Sequence, residues 1–496
     1  MRYISTRGNH PPISSAQAIN LGMVPDGGLF VPETIPHLET LAINNSYQET
    51  ACKVLAPFLT DFTESEIAVC VKRAYNNTSF DSSDIIDITD IGKNRYLMEL
   101  YHGPTAAFKD MALQIMPQFI TFSKVKTGNQ THTVILVATS GDTGKAALEG
   151  FKDCEGISVI VFYPNGGVSE IQRLQMSTTD GSNTYVVAVK GNFDDCQTGV
   201  KNLFSDLSLR AELQASGFEF SSANSINWGR LCPQIIYYFQ TYLKLANNQK
   251  ISYGDPVDFC IPTGNFGNIL AGYYAKSMGL PIRKLICASN QNNVLTDFFS
   301  TGTYDRNRAF YKTVSPSMDI LISSNLERFL FEITGHDASL ISEWYKTLGS
   351  DGKFSVGSAV KSSIDSLISA GWVDEDNVLS TISDVYRTSS NVIDTHTAVA
   401  VAVLDKLDTP EVPTVITSTA SPYKFSCDVL KGIKNSSDTN EFSAIREVAA
   451  LSGKPVHRAV DGLKDRVVRH DQVIDIDDMK NSVKNIIMSI QGKMRH

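Results

Sequence analysis

Six short runs of this 496-residue chain are apolar at most positions: 131–138, 157–163, 184–189, 257–261, 284–288 and 412–417. They are too apolar to leave one face for water. Helical patterns at 145–151, 194–207 and 268–278 lie between them. Strands that are buried on both faces and separated by helices specify a parallel sheet covered by helices. The runs fall into two groups with a break near residues 215–255, which predicts two α/β lobes with a cleft between them. Residues 1–85 read as a mainly helical opening segment, and residues 325–395 also read as helical. A chain of this length exceeds one ordinary core. The expected division is an N-terminal segment 1–85, a small α/β domain 126–239, and a large α/β domain built from 86–125 and 240–496.

Charge narrows the partners. With 44 basic and 53 acidic side chains the net charge is −9. That balance argues against nucleic acid and anionic membranes, so any anion site must be a local concentration of donors. The eight cysteines show no Cys-x-x-Cys spacing and read as reduced thiols. No apolar run reaches the roughly 18 residues of a membrane span. The opening Met1-Arg2-Tyr3-Ile4 has no apolar stretch behind its basic residue, so no secretory signal and a cytoplasmic location are expected. No His-Glu-x-x-His or Cys/His spacing predicts a metal site.

Lys109 is the first candidate for chemistry. In His102-Gly103-Pro104-Thr105-Ala106-Ala107-Phe108-Lys109-Asp110 a turn leads through apolar residues to a lysine at a helix start. Apolar neighbours and the positive helix end both disfavour an ammonium, and a lysine that loses its proton becomes an amine nucleophile toward carbonyls such as pyridoxal phosphate (PLP). An ordinary lysine at a helix start is the plain alternative.

Two loops leave strands and enter helices, where α/β sheets bind ligands. Gly264-Asn265-Phe266-Gly267-Asn268 can turn backbone N–H groups toward one point at a helix start, an anion cradle without a basic residue; a plain strand-to-helix turn is the alternative. Thr139-Ser140-Gly141-Asp142-Thr143-Gly144-Lys145 invites comparison with a nucleotide phosphate loop. Thr139 stands where that motif needs its first glycine, and Ala146 where it needs a magnesium-binding hydroxyl. The hydroxyls of Ser140 and Thr143 suit a carboxylate better. A third segment, Ser225-Ile226-Asn227-Trp228-Gly229-Arg230, offers a hydroxyl, an amide and a guanidinium, and arginine matches phosphate geometry. A surface Arg–carboxylate pair would look the same in sequence.

These blocks stand in a recognisable order. The Lys109 segment resembles the PLP-lysine segment of the threonine synthase family. Tyr3–Gly8, Asp26–Pro32, Ser140–Gly144, Asn224–Trp228, Gly264–Asn268 and Asp394–Ala398 are similar to other blocks of that family. Ser418-Thr419-Ala420-Ser421-Pro422-Tyr423-Lys424-Phe425 resembles its Ser-Thr-Ala-His-Pro-x-Lys-Phe segment, with Ser421 where the family usually has histidine; Ala106 stands where leucine is common. The resemblance implies PLP-dependent fold type II, like the β subunit of tryptophan synthase. It implies PLP on Lys109, the cofactor phosphate on Gly264–Asn268 and the pyridine nitrogen at Thr419. It further implies the substrate α-carboxylate on the loop from Thr139 to Thr143, and the phosphate of O-phospho-L-homoserine near Ser225, Asn227 and Arg230. The reaction implied is the conversion of O-phospho-L-homoserine and water to L-threonine and phosphate. A phospholyase yielding 2-oxobutyrate and ammonia, or a PLP- or nucleotide-binding protein without catalysis, is compatible with the same residues. Monomer and dimer both remain open.

Overall fold

In the computed structural model, which describes residues 1–407, 412–435 and 440–494, the apolar runs assemble into two main sheets. The five-stranded sheet is parallel throughout, in the order Val473–Asp475, Thr184–Lys190, Ile157–Pro164, His132–Ala138, Phe218–Ser221. Val134 to Val137 are fully buried, as expected of a strand covered on both faces. The six-stranded sheet runs Ile368–Trp372, Ile282–Ser289, Val257–Pro262, Thr414–Ser418, Arg95–Glu99, Asp87–Asp90. Its strands are parallel except for the last pair, which is antiparallel.

Three departures from the sequence reading are instructive. Phe218–Ser221 lies inside the expected break, and Ile368–Trp372 inside the region expected to be helical; both are short edge strands. The strand Val473–Asp475 and the helix Met479–Met494, expected with the large domain, instead belong to the five-stranded sheet. Val483, Ile486, Ile487 and Ile490 share a core with Val134 and Leu136. Their spacing is one apolar helix stripe, and the sheet face is what it covers.

The N-terminal segment forms helices Ser15–Leu21, Tyr47–Leu55 and Glu64–Ala74, each opened by a capping box from Ser14, Ser46 and Thr63. It also contributes a small antiparallel pair, Tyr3–Ser5 with Phe30–Pro32. Trp228 is fully buried, its ring centroid 5.4 Å from those of Tyr3, Phe58 and Tyr274. Thr6 and Arg7 bond the carboxylate of Glu327, and Arg328 donates to the Phe30 carbonyl at 2.9 Å. The N-terminal blocks thus buttress the segments that carry Ser225 and Asn325. Among the described residues no helix is long and apolar enough to cross a membrane.

Candidate active site

Three adjacent strands of the six-stranded sheet, Val257–Pro262, Thr414–Ser418 and Arg95–Glu99, end side by side. The loops that leave their carboxyl ends are 263–268, 419–425 and 100–110, the last carrying Lys109. The loop 139–141 leaves the strand His132–Ala138 of the other sheet. Ligand sites in α/β folds form at such places because helix starts and loop N–H groups converge there.

The Lys109 loop is clamped from within. Asp110 is fully buried and accepts hydrogen bonds from the backbone N–H and the hydroxyl of Thr105, both at 2.8 Å. Burial raises its carboxyl to about 7 despite those donors. A Cβ on Gly103 would meet that of Asp110 at 2.5 Å, so the turn admits only glycine. Ala106 adopts a left-handed φ of +60°, and its carbonyl accepts from the Ser421 N–H at 3.0 Å. Phe108 N–H donates to the Thr419 carbonyl at 2.8 Å, which fixes the lysine loop to the segment of Thr419. Ser421 caps the turn Pro422–Phe425 by accepting from Tyr423 N–H.

Lys109 Nζ lies 3.2 Å from Ser317 Oγ and 3.5 Å from Asp142 Oδ2. Burial lowers its pKa to about 8, assisted by the charges of Lys424 and Arg230 and opposed by Asp142. Asp142 opens the helix Asp142–Phe151 and also takes Lys424 Nζ at 2.6 Å and Gln172 Nε2 at 3.1 Å. Burial alone would raise the Asp142 carboxyl, but the two ammonium groups hold it far below the usual range. Gly141, at φ +132°, leaves no room for a side chain: a Cβ there would sit 2.3 Å from Gln172 Cδ. Thr139 Oγ1 accepts from the N–H groups of Gly141 and Gly144 at 2.9 and 3.0 Å. Its hydroxyl shapes the loop, whereas Ser140 and Thr143 remain half-buried. Gly141→Ala is expected to displace Gln172 from Asp142 and to lower stability by about 2 kcal/mol or more, read as a fall in the urea midpoint.

The glycine loop packs against Ser317, the residue that bonds the same lysine. A Cβ on Gly264 would come 2.9 Å from the Ser317 carbonyl, and one on Gly267 would lie 3.4 Å from Ser225 Cβ. Phe266 takes a left-handed φ of +63° just before the helix Gly267–Ser277. Its ring is buried near Phe299 and Phe329, so only its backbone can serve a ligand. Among the described residues, none accepts from the backbone N–H groups of Gly264 to Asn268. Asn265 is held through its carbonyl by Asn325 N–H at 3.1 Å. Asn268 Oδ1 accepts from Tyr237 and Tyr238 at 2.8 Å, while its Nδ2 is buried without a partner. Arg230 is buried, donates to the Ala223 carbonyl, and keeps Nε buried without a partner. No described carboxylate pairs with it, which sets aside the surface ion pair. Asn227, expected among the ligand contacts, has its side chain engaged by the backbone around it. It caps the helix Trp228–Leu231, and its amide is spent on the Ile19 carbonyl at 3.0 Å.

A low-pKa lysine, a cradle of free backbone N–H groups and a buried guanidinium with no described carboxylate partner fit a phosphorylated aldehyde cofactor and a second anion. Sequence reasoning missed Ser317, Gln172 and the part played by Lys424. Only Lys424 carried a signal, as a lysine in a segment that follows a buried strand. The fold also gathers Asp87, Glu99 and His102 within 4.8 Å of one another. Lys244 and Lys454 lie 3.7 and 3.6 Å from the two carboxylates, so this is a balanced ion-pair group at the foot of the lysine loop.

Comparison with known proteins agrees with this geometry. Residues 2–75 match the family described as threonine synthase N terminus, and residues 74–417 match pyridoxal-phosphate dependent enzymes. Threonine synthase-like 1 of Pongo abelii is 39% identical over 96% of this chain, which spans 66% of that protein's length. Threonine synthase of Pseudomonas aeruginosa is 38% identical over 86% of this chain and 89% of its own. The crystal structure of PLP-bound threonine synthase from Brucella melitensis superposes with a TM-score of 0.85 at 34% identity, covering 98% of this chain and 99% of that one. With both lobes and the N-terminal segment accounted for in this way, the chain belongs to the threonine synthase family of pyridoxal-phosphate-dependent enzymes.

Proposed function

We propose that this chain is a threonine synthase, converting O-phospho-L-homoserine and water to L-threonine and phosphate in the cytoplasm. The observation that carries the reading is the buried Lys109 amine, with a pKa near 8, together with the N–H cradle of Gly264–Asn268 and a buried Arg230 that has no described carboxylate partner. A one-anion enzyme has no use for two separate anion sites.

Bound to Lys109, the cofactor would supply an electron sink for charge that develops at Cα. The remaining parts belong to the chain. Gly264–Asn268 would hold the cofactor phosphate through backbone donors, and the Thr419 hydroxyl would face the pyridine nitrogen. Ser140, Thr143 and the loop N–H groups would orient the substrate carboxylate. Ser225 and Arg230 would hold the substrate phosphate, and Arg230 would stabilise the charge that builds on it as it leaves Cγ. Lys109, once its amine is free, would take the α-proton and return a proton later.

A second reading uses the same residues, and relatives named threonine synthase-like 1 match over most of this chain. The phospholyase alternative, giving 2-oxobutyrate, ammonia and phosphate, uses the same lysine and anion sites. Incubation of the purified protein with O-phospho-L-homoserine separates the two. Threonine and phosphate in equal amounts are expected, whereas 2-oxobutyrate and ammonia without threonine would overturn the synthase reading.

A further inference from the structure

We propose that Asp142 and Lys424 form a matched pair of positioning residues that sets the charge of Lys109: Asp142 draws a proton onto its amine, and Lys424 restrains that draw by holding Asp142. The proposal rests on the reading of Lys109 as the cofactor lysine and adds to it what tunes that lysine.

The geometry is of two buried ammonium groups sharing one carboxylate. Lys424 Nζ is 2.6 Å from Asp142 Oδ1, and Lys109 Nζ is 3.5 Å from Oδ2, so the carboxylate is engaged on both sides and more closely by Lys424. Lys424 is also anchored by the Thr105 carbonyl at 3.0 Å, within the lysine's own loop. Gln172 Nε2 at 3.1 Å and Ser317 Oγ at 3.3 Å fix the carboxylate's orientation. Groups with charge reach Lys109 from each neighbouring element: Asp142 from its helix, Lys424 from the turn Pro422–Phe425 and Arg230 from the helix Trp228–Leu231. His396, held by Asp394 at 2.9 Å, accepts from Ser317 N–H and bears on Asp142 from behind.

The chemical need is plain. Capture of an aldehyde requires a neutral amine: the nitrogen adds to the carbonyl carbon, a C=N bond replaces C=O, and water leaves. An ammonium held by an undiluted carboxylate would resist this, and a lysine with no carboxylate nearby would be too weak a base to take and hold a proton. One acid shared by two bases gives an intermediate affinity.

The two partners must therefore act in opposite directions. Removing Lys424 deletes a positive neighbour and frees Asp142 for Lys109, so the Lys109 pKa rises. Removing the Asp142 charge leaves Lys109 among cations only, so its pKa falls. Competitive acylation with acetic anhydride across pH, read by mass spectrometry on the peptide containing Lys109, measures that pKa without cofactor or turnover. In parallel, cofactor-free protein is mixed with PLP, and the rate of borohydride-fixed labelling of Lys109 is followed against pH. The wild-type midpoint is expected near 8. Lys424→Met should move it up, and Asp142→Asn down, each by about one pH unit or more. Lys424→Arg should restore a midpoint near wild type. Midpoints that stay put, or shift in the same direction in both variants, overturn the proposal. If PLP fails to attach to wild-type Lys109 while acylation midpoints still split in opposite directions, the cofactor assignment fails and the charge pair stands.

Discussion

Lys109→Ala is expected to lose covalent PLP entirely and to cut turnover of O-phospho-L-homoserine by a factor on the order of 10⁴ or more, since on the proposed reading one side chain would serve as both attachment point and proton carrier. Borohydride reduction of the wild type should put the pyridoxyl mass on the peptide containing Lys109, and the variant should give none. The fold should survive the change. Asp142 keeps its 2.6 Å contact with Lys424, so no carboxylate is stranded in the interior. Retention of weakly bound PLP on the Gly264–Asn268 cradle, removable by dialysis, is the expected residue of binding. A pyridoxyl label on another lysine would refute the assignment, as would a variant with more than about one-hundredth of wild-type activity, the low end of what a general base contributes.

The residues differ in how far their placement could be read beforehand. Buried strands such as 131–138 and 157–163 were legible because a strand covered on both faces has one composition, whatever its neighbours. The loops around Gly141 and Gly264 were legible because a strand end, a glycine and a helix start are local signals. Ile368–Trp372 was not, since its five-residue alternation follows directly on the helix Ser358–Leu367 and takes its place only by pairing with Ile282–Ser289. The helix Met479–Met494 carried a visible apolar stripe, but nothing in the stripe says which sheet it covers.

The site divides in the same way. Asp142 looked like part of an anion-binding loop, and its backbone can be so. Its carboxylate is instead committed to lysines, one of them Lys424, far away in the chain. Ser317 stands in no motif, and only the fold brings it to Lys109. Asn227 and the N-terminal blocks show another side of this: they hold the frame, through Ile19 and Glu327. Long-range charge pairing is the common factor in what stayed hidden, because it depends on burial and distance together and neither has a local signature.

Arg230→Leu is expected to separate stability from catalysis. Arg230 is buried, and burial alone lowers its pKa from 12.5 to about 10, with no described carboxylate to offset the cost. A depression of that size corresponds to about 3 kcal/mol of strain on the charged form. The variant loses the hydrogen bond to the Ala223 carbonyl, and leaving that acceptor unpaired costs about 1 to 3 kcal/mol. The relief of a buried, unpaired charge therefore equals or exceeds the loss, and leucine fills much of the space. The Tm of the cofactor-free protein, measured by calorimetry, should stay level or rise. Catalysis should move the other way. On the proposed reading such a guanidinium would serve charge that arrives with the substrate, and its removal should lower kcat/KM for O-phospho-L-homoserine by about a hundredfold or more. PLP content should not change, because the cofactor phosphate is assigned to Gly264–Asn268. Binding of phosphate-free amino acids at the cofactor, followed by its absorbance, should also hold. A clear fall in Tm with turnover preserved would make Arg230 a structural residue and move the substrate phosphate site elsewhere in the cleft.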